Sequence, residues 1–272
     1  MTISNITVQK AGNYAILGYS LDNVILQNMH IKQGWDGIHI RGGNNILIRN
    51  STFETGDDAI AGGYWNNFVI TDCKINSSCN GIRVIMPVDG VKIEHSSFEG
   101  PGVFTHRTSG AAHRTNMLAG IYIQPGGWGV TKGDINNVTI NDLKMHNMDN
   151  ALMLNLNREN NANNILITNI VADSIRGAFY IHSHNGGYFD HITLENIDVK
   201  FTPTTTPDGV WALSVNNVQH LRLKNINWEC SRLDAKLAIQ LKNVTFPTLE
   251  NVKLLPKDNQ INVENSGDIQ SN

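Results

Sequence analysis

The sequence predicts an all-β fold, a right-handed parallel β-helix, in which one chain winds into a solenoid of about 22–27 residues per coil. Two observations predict it. A short motif, in which Asn or Asp flanks an alternating apolar run, recurs along the chain. Its first copies, which begin at Asn23, Asn45 and Asn67, are each separated by 22 residues. This period fits one coil of short strands and turns, whereas a propeller blade needs about twice that length.

The elements of each coil follow from the residues inside the motif. The copy at Asn45 reads Asn-Ile-Leu-Ile-Arg-Asn, and short β-branched runs of this kind are typical of strands rather than helices. Later copies begin at Gly90, Asn137, Asn164, Asp190 and Asn217. A second short strand follows many copies, as at 37–40 and 81–84. We therefore expect strands of about three to five residues, joined by turns whose Asn side chains stack from coil to coil.

No linker divides the chain, so a single domain is expected over residues 1–272. The spacing between copies widens to 47 residues after Gly90, and the segment 99–118, which is rich in Gly, has the composition of a loop insertion. The stretch 203–207 is expected to form another turn excursion. Because the first residues already resemble the middle of a repeat, we expect that an N-terminal segment precedes Met1.

Composition excludes several classes of partner. The formal net charge is −3 and no basic run is present, so no nucleic-acid partner is expected. No stretch approaches the roughly 18 consecutive apolar residues of a membrane span, and the start of the chain lacks the basic and apolar segments of a signal peptide. Cys73, Cys79 and Cys230 cannot all pair and show no metal-ligand spacing. We expect them to be small buried side chains, and we expect no metal and no cofactor.

The second strands carry a column of polar residues. Residues one repeat apart in a solenoid lie above one another, about 4.8 Å apart. In register, Asp36, Asp58 and Asn80 form such a column, and Asp57 lies beside Asp58. Clustered carboxylates repel and raise one another's proton affinity. Glycosidases need one protonated and one ionised carboxyl group, about 6.5–9.5 Å apart in inverting enzymes. We therefore interpret Asp36, Asp57 and Asp58 as candidate catalytic residues.

Two other interpretations of the aspartates are open. Aspartates can cap the turns of a β-helix, and clustered carboxylates are hard oxygen ligands that suit calcium. A row of side chains slightly further along the same strands favours catalysis, because it is expected to be exposed and to contact sugar. The row comprises His39, Arg83, Tyr122, Met153 and Tyr180.

The aspartate motifs resemble those of a known family, the polygalacturonases and their relatives in glycoside hydrolase family 28. That family is a right-handed parallel β-helix that degrades pectin, with the motifs N-T-D-G, G-D-D, G-H-G and R-I-K on successive coils. Residues 34–37 read Gly-Trp-Asp-Gly and residues 56–58 read Gly-Asp-Asp. By this resemblance Asp57 would be the general acid, while Asp36 and Asp58 would hold and deprotonate the attacking water, giving inversion. The resemblance also implies a secreted or periplasmic protein with a carbohydrate substrate.

Two motifs differ from those of the family. Asn80 stands where the family has the histidine of G-H-G, and Tyr122 and Gln124 stand where it has the basic residues of R-I-K. The loss of both cations argues against unmodified polygalacturonate and favours a neutral or otherwise substituted glycan. Arginines elsewhere could still bind a carboxylate: Arg83, Arg107 and Arg114. The predicted substrate-binding residues are His39, Asn80, Arg83, Tyr122 and Gln124.

Three further features are candidates for a role at the site. His106 and His113 lie in the inserted loop and could overhang the cleft, although a solvated loop face explains them equally. His182 and His184 alternate on one strand, but no third ligand follows them in the sequence, so a metal pair is not expected. Trp128, in a glycine-rich turn, could contact sugar.

Glycoside hydrolysis is therefore the predicted function, with two alternatives. A polysaccharide lyase on the same fold would use the carboxylates to bind calcium and Arg83 as the base. A binding or structural β-helix would show affinity for glycan without turnover.

Overall fold

The computed structural model describes residues 1–106, 114–184, 186–202, 210–231, 237–255 and 260–271. Regular structure in these residues is entirely β, and none of them is helical. In chain order the strands are β1 (Thr2–Ser4), β2 (Thr7–Gln9), β3 (Tyr14–Gln27), β4 (His30–Lys32), β5 (Asp36–Arg49), β6 (Thr52–Thr55), β7 (Ile60–Thr71), β8 (Lys74–Ser77), β9 (Asn80–Val84), β10 (Val88–Glu99), β11 (Met117–Ile123), β12 (Ile135–Leu156), β13 (Ala162–Ile175), β14 (Phe179–Ser183), β15 (Phe189–Phe201), β16 (Val210–Cys230), β17 (Leu237–Thr245), β18 (Thr248–Leu255), β19 (Gln260–Glu264) and β20 (Gln270–Ser271).

The strands pair in parallel with those of the next coil. Val24 pairs with Ile46, and Ile46 pairs with Phe68, so the chain advances by 22 residues per coil near its start. The advance grows to 27 residues between β12 and β13, and to 29 between β15 and β16. The described strands form a parallel β-solenoid of about 9 coils, which confirms the predicted fold class. The step of 29 residues is slightly longer than the 22–27 residues expected, and the advance returns to 22 residues between β17 and β19.

Most of the strands are longer than the three to five residues expected, because the chain turns corners without leaving the sheet. β12 runs for 22 residues. Single residues at its corners adopt the left-handed backbone conformation, with φ of 54° at Asn137, 50° at Asp142 and 57° at Asn147. Asn and Asp tolerate this conformation better than most side chains, since their short polar groups can bond locally. The recurrent Asn of the sequence motif thus occupies corners of the solenoid.

Stacked apolar side chains fill the interior of the solenoid. Ile38, Ile60 and Ile82 pair in register and are fully buried. Aromatic rings add to the stack, with the centroids of Trp65 and Phe68 4.1 Å apart. Because side chains alternate across a strand, the residues between these apolar positions point outwards. The same strands that build the core therefore carry the polar columns on the surface.

The wide spacing between copies comes from connections rather than from a missing coil. Val88 pairs directly with Ile135, so β10 and β12 lie in adjacent coils. Extra residues lie in the connection from 100 to 116, between β10 and β11. Part of this connection, 107–113, and the expected turn at 203–207 lie outside the described residues.

The three cysteines are free thiols, with Cys73 and Cys230 buried and Cys79 partly buried. The part of the chain that the structure describes contains no helix with the length and apolar character needed to cross a membrane.

Candidate active site

Backbone pairing aligns the predicted aspartate column. Asp36 opens β5, Asp58 lies just before β7, and Asn80 opens β9. The amide of Gly37 donates to the Asp58 carbonyl at 2.9 Å, which holds two of these coils in register. Asp57 precedes Asp58 in the chain, and its carboxyl group lies beside the column. One oxygen of each of the three carboxyl groups lies within 4.8 Å of the others, and we call this cluster (Asp36, Asp57 and Asp58) the aspartate trio.

Asp58 is buried, as Asp36 is, and its surroundings favour the protonated carboxyl group. Its Oδ1 accepts hydrogen bonds from the backbone amide of Asn80 at 3.2 Å and from the Asn80 side chain at 2.7 Å. Burial raises the pKa of Asp58 to about 7, and the charges of Asp57 and Asp36 add to the shift. Hydrogen bonding from Asn80 and the charge of Arg83 oppose it. Because the three groups are coupled, the trio as a whole binds a proton near neutral pH.

Asp36 is oriented by a buried histidine. His39 Nδ1 lies 2.8 Å from Asp36 Oδ2, and Arg41 Nε donates to His39 Nε2 at 3.2 Å. Because arginine can only donate, Nε2 accepts and Nδ1–H donates to the carboxylate. The sequence predicted a sugar contact for His39, but the exposed fraction of its side chain is 0%. Its ring packs between Tyr14 and Trp128, so the expectation is corrected: His39 supports Asp36.

Asp57 faces the inserted loop between β10 and β11. Its side chain is 23% exposed, and His106 Nε2 lies 3.4 Å from its Oδ2. The loop is positioned by Asn76, whose amide donates to the carbonyls of Glu99 at 2.7 Å and Pro101 at 2.8 Å. His106 is itself buried. The loop therefore supplies an imidazole to the most accessible carboxylate of the trio.

Arg83, Tyr122 and Gln124 form one unit in neighbouring coils. The guanidinium carbon of Arg83 lies 3.8 Å from the ring centroid of Tyr122, and Nη2 donates to Gln124 Oε1 at 2.6 Å. Arg83 Nη1 has no hydrogen-bond partner among the described residues. Burial lowers the pKa of Arg83 below its usual value. The guanidinium covers one face of Tyr122, so the sugar stacking predicted for that tyrosine is blocked on this side, and Gln124 orients Arg83 instead.

A cleft of about 500 Å³ opens beside the trio, a volume within the usual range of about 300–1,000 Å³ for ligand sites. The residues that line it are Asp57, Asp58, Cys79, Asn80, Arg83, Leu118, Tyr122, Trp128, Asp149, Asn150 and Met153. The predicted site residues outside this lining are Asp36, His39 and Gln124. They lie behind or beside the cleft and contact the residues that line it.

Asp149 and Asn150 line the cleft and were not predicted. Asn150 belongs to the same column as Asn80, with one coil between them. The signal was present in the sequence, since Asp-Asn-Ala-Leu at 149–152 repeats the pattern Asp-Asp-Ala-Ile at 57–60. It was missed because the coil intervals are unequal in this region, so the two segments do not differ by a simple multiple of 22.

The row predicted to be exposed lies in register but is largely covered. Tyr122 pairs with Arg83 on one side and Met153 on the other. Met153 pairs in turn with Tyr180. Arg83 is buried, since the turn that carries Trp128 lies against it, and the other three are half-buried. The exposed aromatic of the cleft is Trp128 itself, with 63% of its surface accessible.

The remaining candidates from the sequence lie outside the cleft lining. The rings of His182 and His184 are 5.8 Å apart, and His182 Nε2 lies 2.8 Å from Ser214 Oγ. Among the described residues no third metal ligand accompanies this pair. Arg107 and His113 lie outside the described residues.

Two groups at the site have ligand atoms within 4.8 Å of one another and could hold a cation: the trio itself, and Asp57 with Cys79 and His106. Burial, followed by the charges of Asp58 and Asp57, raises the pKa of the Cys79 thiol far above its usual value. The Cys79 thiol is therefore protonated in the free protein, and a metal ion would have to displace its proton to bind there. The trio offers only hard oxygen ligands, which suit calcium.

Comparison with known proteins identifies the fold. A family model described as a right handed beta helix region matches residues 1–130. No curated protein sequence matches. The structure is similar to the hyperthermoactive exopolygalacturonase of Thermotoga maritima, with a TM-score of 0.56 and 14% identity over 85% of this chain and 54% of that one.

Two further structures are similar at the same level. The family 28 exopolygalacturonase of Yersinia enterocolitica gives a TM-score of 0.57 and 14% identity over 91% of this chain and 45% of that one. The surface protein and adhesin PfbA of Streptococcus pneumoniae gives a TM-score of 0.52 and 12% identity over 94% of this chain and 68% of that one. The chain thus spans about half the length of the two exopolygalacturonases. What the three share with this chain is a right-handed parallel β-helix, on which both enzymes and an adhesin are built.

Proposed function

We propose that this protein is a glycoside hydrolase, similar in mechanism to the polygalacturonase family, which cleaves a polysaccharide or oligosaccharide with the aspartate trio. The observation that carries the proposal is the trio: three carboxyl groups within 4.8 Å, beside a cleft, with one pKa raised to about 7. Hydrolysis of a glycosidic bond needs one protonated and one ionised carboxyl group at the same pH. A coupled trio that binds a single proton near neutrality supplies both.

The roles within the trio follow from accessibility. Asp57 is the member that reaches the cleft with an exposed edge, so it donates the proton to the leaving oxygen. Asp36 and Asp58 are buried side by side, and they hold and deprotonate the attacking water. The raised pKa of Asp58 keeps one proton on the coupled trio near neutral pH, and the proposal requires this proton to be on Asp57 when the leaving group departs.

Inversion at the anomeric carbon is part of this proposal. The facing oxygens of the trio lie within 4.8 Å. This distance is shorter than the separation of about 6.5–9.5 Å between the carboxyl groups of inverting enzymes. It is close to the separation in retaining enzymes, which is about 5 Å. We nevertheless expect inversion, because Asp36 and Asp58 are too enclosed to attack an anomeric carbon and can reach a small water molecule. Proton NMR of the first anomer released decides between the two outcomes.

A neutral or substituted glycan is the substrate class that the cleft favours. Its lining contains three carboxyl groups, Asp57, Asp58 and Asp149, against a single guanidinium, that of Arg83. An unmodified polyanion would be repelled, whereas sugar hydroxyls can bond to Asn150 and a ring face can stack on Trp128. Since similar proteins include a surface adhesin, we also propose that the protein acts on glycan outside the cytoplasm.

Release of reducing ends from a panel of neutral and acidic polysaccharides tests the proposal. We expect turnover on a neutral or substituted glycan and little on polygalacturonate. The matched variants are Asp57→Asn, which should abolish most turnover, and Asp142→Asn, which changes an exposed aspartate outside the cleft lining and should not. Turnover that is equal in both variants, or absent on every glycan, contradicts the proposal.

One alternative has a specific observation in its favour. The partly lowered pKa of Arg83 and its unpaired Nη1 suit a base in a polysaccharide lyase, with calcium bound by the trio. A lyase generates an unsaturated product that absorbs ultraviolet light and would lose activity in EDTA. Hydrolysis by the trio gives no such product and is insensitive to EDTA.

A further inference from the structure

A second cluster of ligand-type side chains lies on a different surface of the solenoid. One corner of successive coils is occupied by left-handed asparagines, among them Asn137 and Asn164, with φ of 54° and 59°. At the same corner of the next coils the residues are His191, His220 and Phe246, with φ of 53°, 51° and 54°. Asn, Asp and His are the non-glycine residues enriched in this conformation. The corner therefore keeps its backbone geometry where its side chains change from amides to imidazoles.

The two imidazoles converge on one carboxylate. Asp190 Oδ1 lies 3.0 Å from His191 Nδ1 and 2.7 Å from His220 Nδ1. The two imidazole rings stack at 4.5 Å, and Phe246 stacks on the outer face of His220 at 5.0 Å. Stacking fixes the ring orientations, so both Nδ1 atoms are held towards the same oxygen.

We propose that Asp190, His191 and His220 bind a divalent transition-metal ion of the zinc type. Two imidazole nitrogens and one carboxylate oxygen form a ligand set that zinc accepts with an open fourth position. Bonds of about 2.0 Å in a tetrahedral site place ligand atoms about 3.3 Å apart, and the two distances at Asp190 are already close to this. On binding, each imidazole shifts its proton from Nδ1 to Nε2, which faces away from the ion.

The site is accessible to ions and differs from ordinary surface pairs. The side chains of Asp190, His191 and His220 are 25%, 62% and 45% exposed. His95 is also exposed, and it lies 3.8 Å from Asp142 without a second imidazole at that carboxylate. Hard cations such as magnesium prefer all-oxygen ligands, so the two nitrogens select against them.

Binding would tie adjacent coils together. His191 lies on β15 and His220 on β16, so an ion between them bridges two strands that are otherwise joined through the backbone ladder. An ion that binds only the folded chain raises the stability of that chain. The expected role is structural, and it is independent of the proposed hydrolase activity because the cluster lies outside the cleft.

The test uses zinc sulfate with the tag-free full chain. Isothermal titration should show one zinc ion per chain, and the melting temperature should rise with zinc but not with magnesium. His191→Asn and His220→Asn place the residue usual at this corner, so both variants should fold, and each should weaken zinc binding by more than about tenfold. His95→Asn is the matched control, since its residue is also left-handed with φ of 49°, and it should bind zinc as the wild type does.

Two results overturn the proposal. One is an unchanged melting temperature and no saturable heat with zinc in the wild type. The other is equal zinc binding in the wild type and in the His191→Asn/His220→Asn double variant, which would place the ion elsewhere. Circular dichroism of each variant without zinc separates loss of a ligand from loss of the fold.

Discussion

Two polar columns run along the same solenoid with the same 22-residue step, and they differ in what the side chains can do for one another. At one corner, the Asn67 amide donates to Asn45 Oδ1 at 2.7 Å, and the Asn45 amide donates to Asn23 Oδ1 at 3.2 Å. On the face beside the cleft, Asp36 and Asp58 occupy equivalent places in neighbouring coils. Every amide both donates and accepts, whereas a carboxylate only accepts.

This difference shows which column stabilises the fold and which column lowers its stability. A stack of amides satisfies itself and can repeat through many coils, and it stays exposed to water. A stack of carboxylates repels itself unless it binds a proton or a cation. Burial strengthens the preference for the protonated form, as the pKa of about 7 at Asp58 indicates. The first column is expected to be structural and the second to be chemical, and the following changes test that contrast.

The largest effect is expected for the accessible carboxylate of the trio. Asp57→Asn removes the proton donor and should slow hydrolysis of an unactivated glycoside by about 10² to 10⁴. Glycosides with good leaving groups need little protonation and should be affected much less. Steady-state kinetics on both substrate types measure this difference.

Asp36→Asn and Asp58→Asn serve as the matched controls, because loss of water activation should slow both substrate types. If Asp58→Asn instead shows the dependence on leaving group, Asp58 and not Asp57 is the donor. Near-wild-type turnover in all three variants would return the aspartates to a role as turn caps.

A smaller effect is expected on stability. The pKa of Asp58 is about 7 in the folded chain against 3.8 as the reference value, so the folded state binds the proton more tightly. The stabilisation from this proton is complete below about pH 4 and is lost as the pH rises through 7. Asp58→Asn should therefore raise the melting temperature at pH 8, by an amount equivalent to roughly 2–4 kcal/mol, and leave it nearly unchanged at pH 4. Thermal melts at both pH values measure this, and an Asp58→Asn variant that is less stable at pH 8 would contradict it.

The smallest effect is expected in the amide column. Asn45→Gly removes two exposed hydrogen bonds but tolerates the left-handed backbone, where φ is 53°, and should cost about 1 kcal/mol. Asn45→Ala adds strain at the same φ and should cost about 1 kcal/mol more. Urea denaturation midpoints measure both variants. Equal stability of wild type and the two variants would mean that the amide column contributes nothing, and the contrast between the columns would fail.

The fold was predictable because residues one period apart in the sequence occupy the same place in successive coils. Ile38 and Ile60 lie one period apart and both enter the core, and Asn23 and Asn45 lie one period apart and both enter the corner. The aspartate column was predictable for the same reason. The lengths of the strands were not predictable, because a residue in the left-handed conformation lets the chain turn a corner while its backbone hydrogen bonds to the next coil continue.

The surroundings of the trio were less predictable, because they depend on contacts between distant segments. His106 reaches Asp57 from a loop whose path the repeat does not specify. The burial of His39 depends on Trp128, which is brought over it by a turn from a later coil. The contact of both His191 and His220 with Asp190 was not predicted either, since 29 residues separate the two histidines along the chain.

The pH dependence of kcat/KM, measured on the polysaccharide that releases most reducing ends, tests the central claim most directly. If the trio must carry one proton to be active, the rate should be highest near or below pH 7 and fall about tenfold per pH unit above it. The alkaline limb should follow the pKa of about 7 raised by burial of Asp58. A rate that rises through pH 7 to a plateau would contradict the claim that the active trio carries one proton, and no release of reducing ends from any glycan would contradict the proposed hydrolysis.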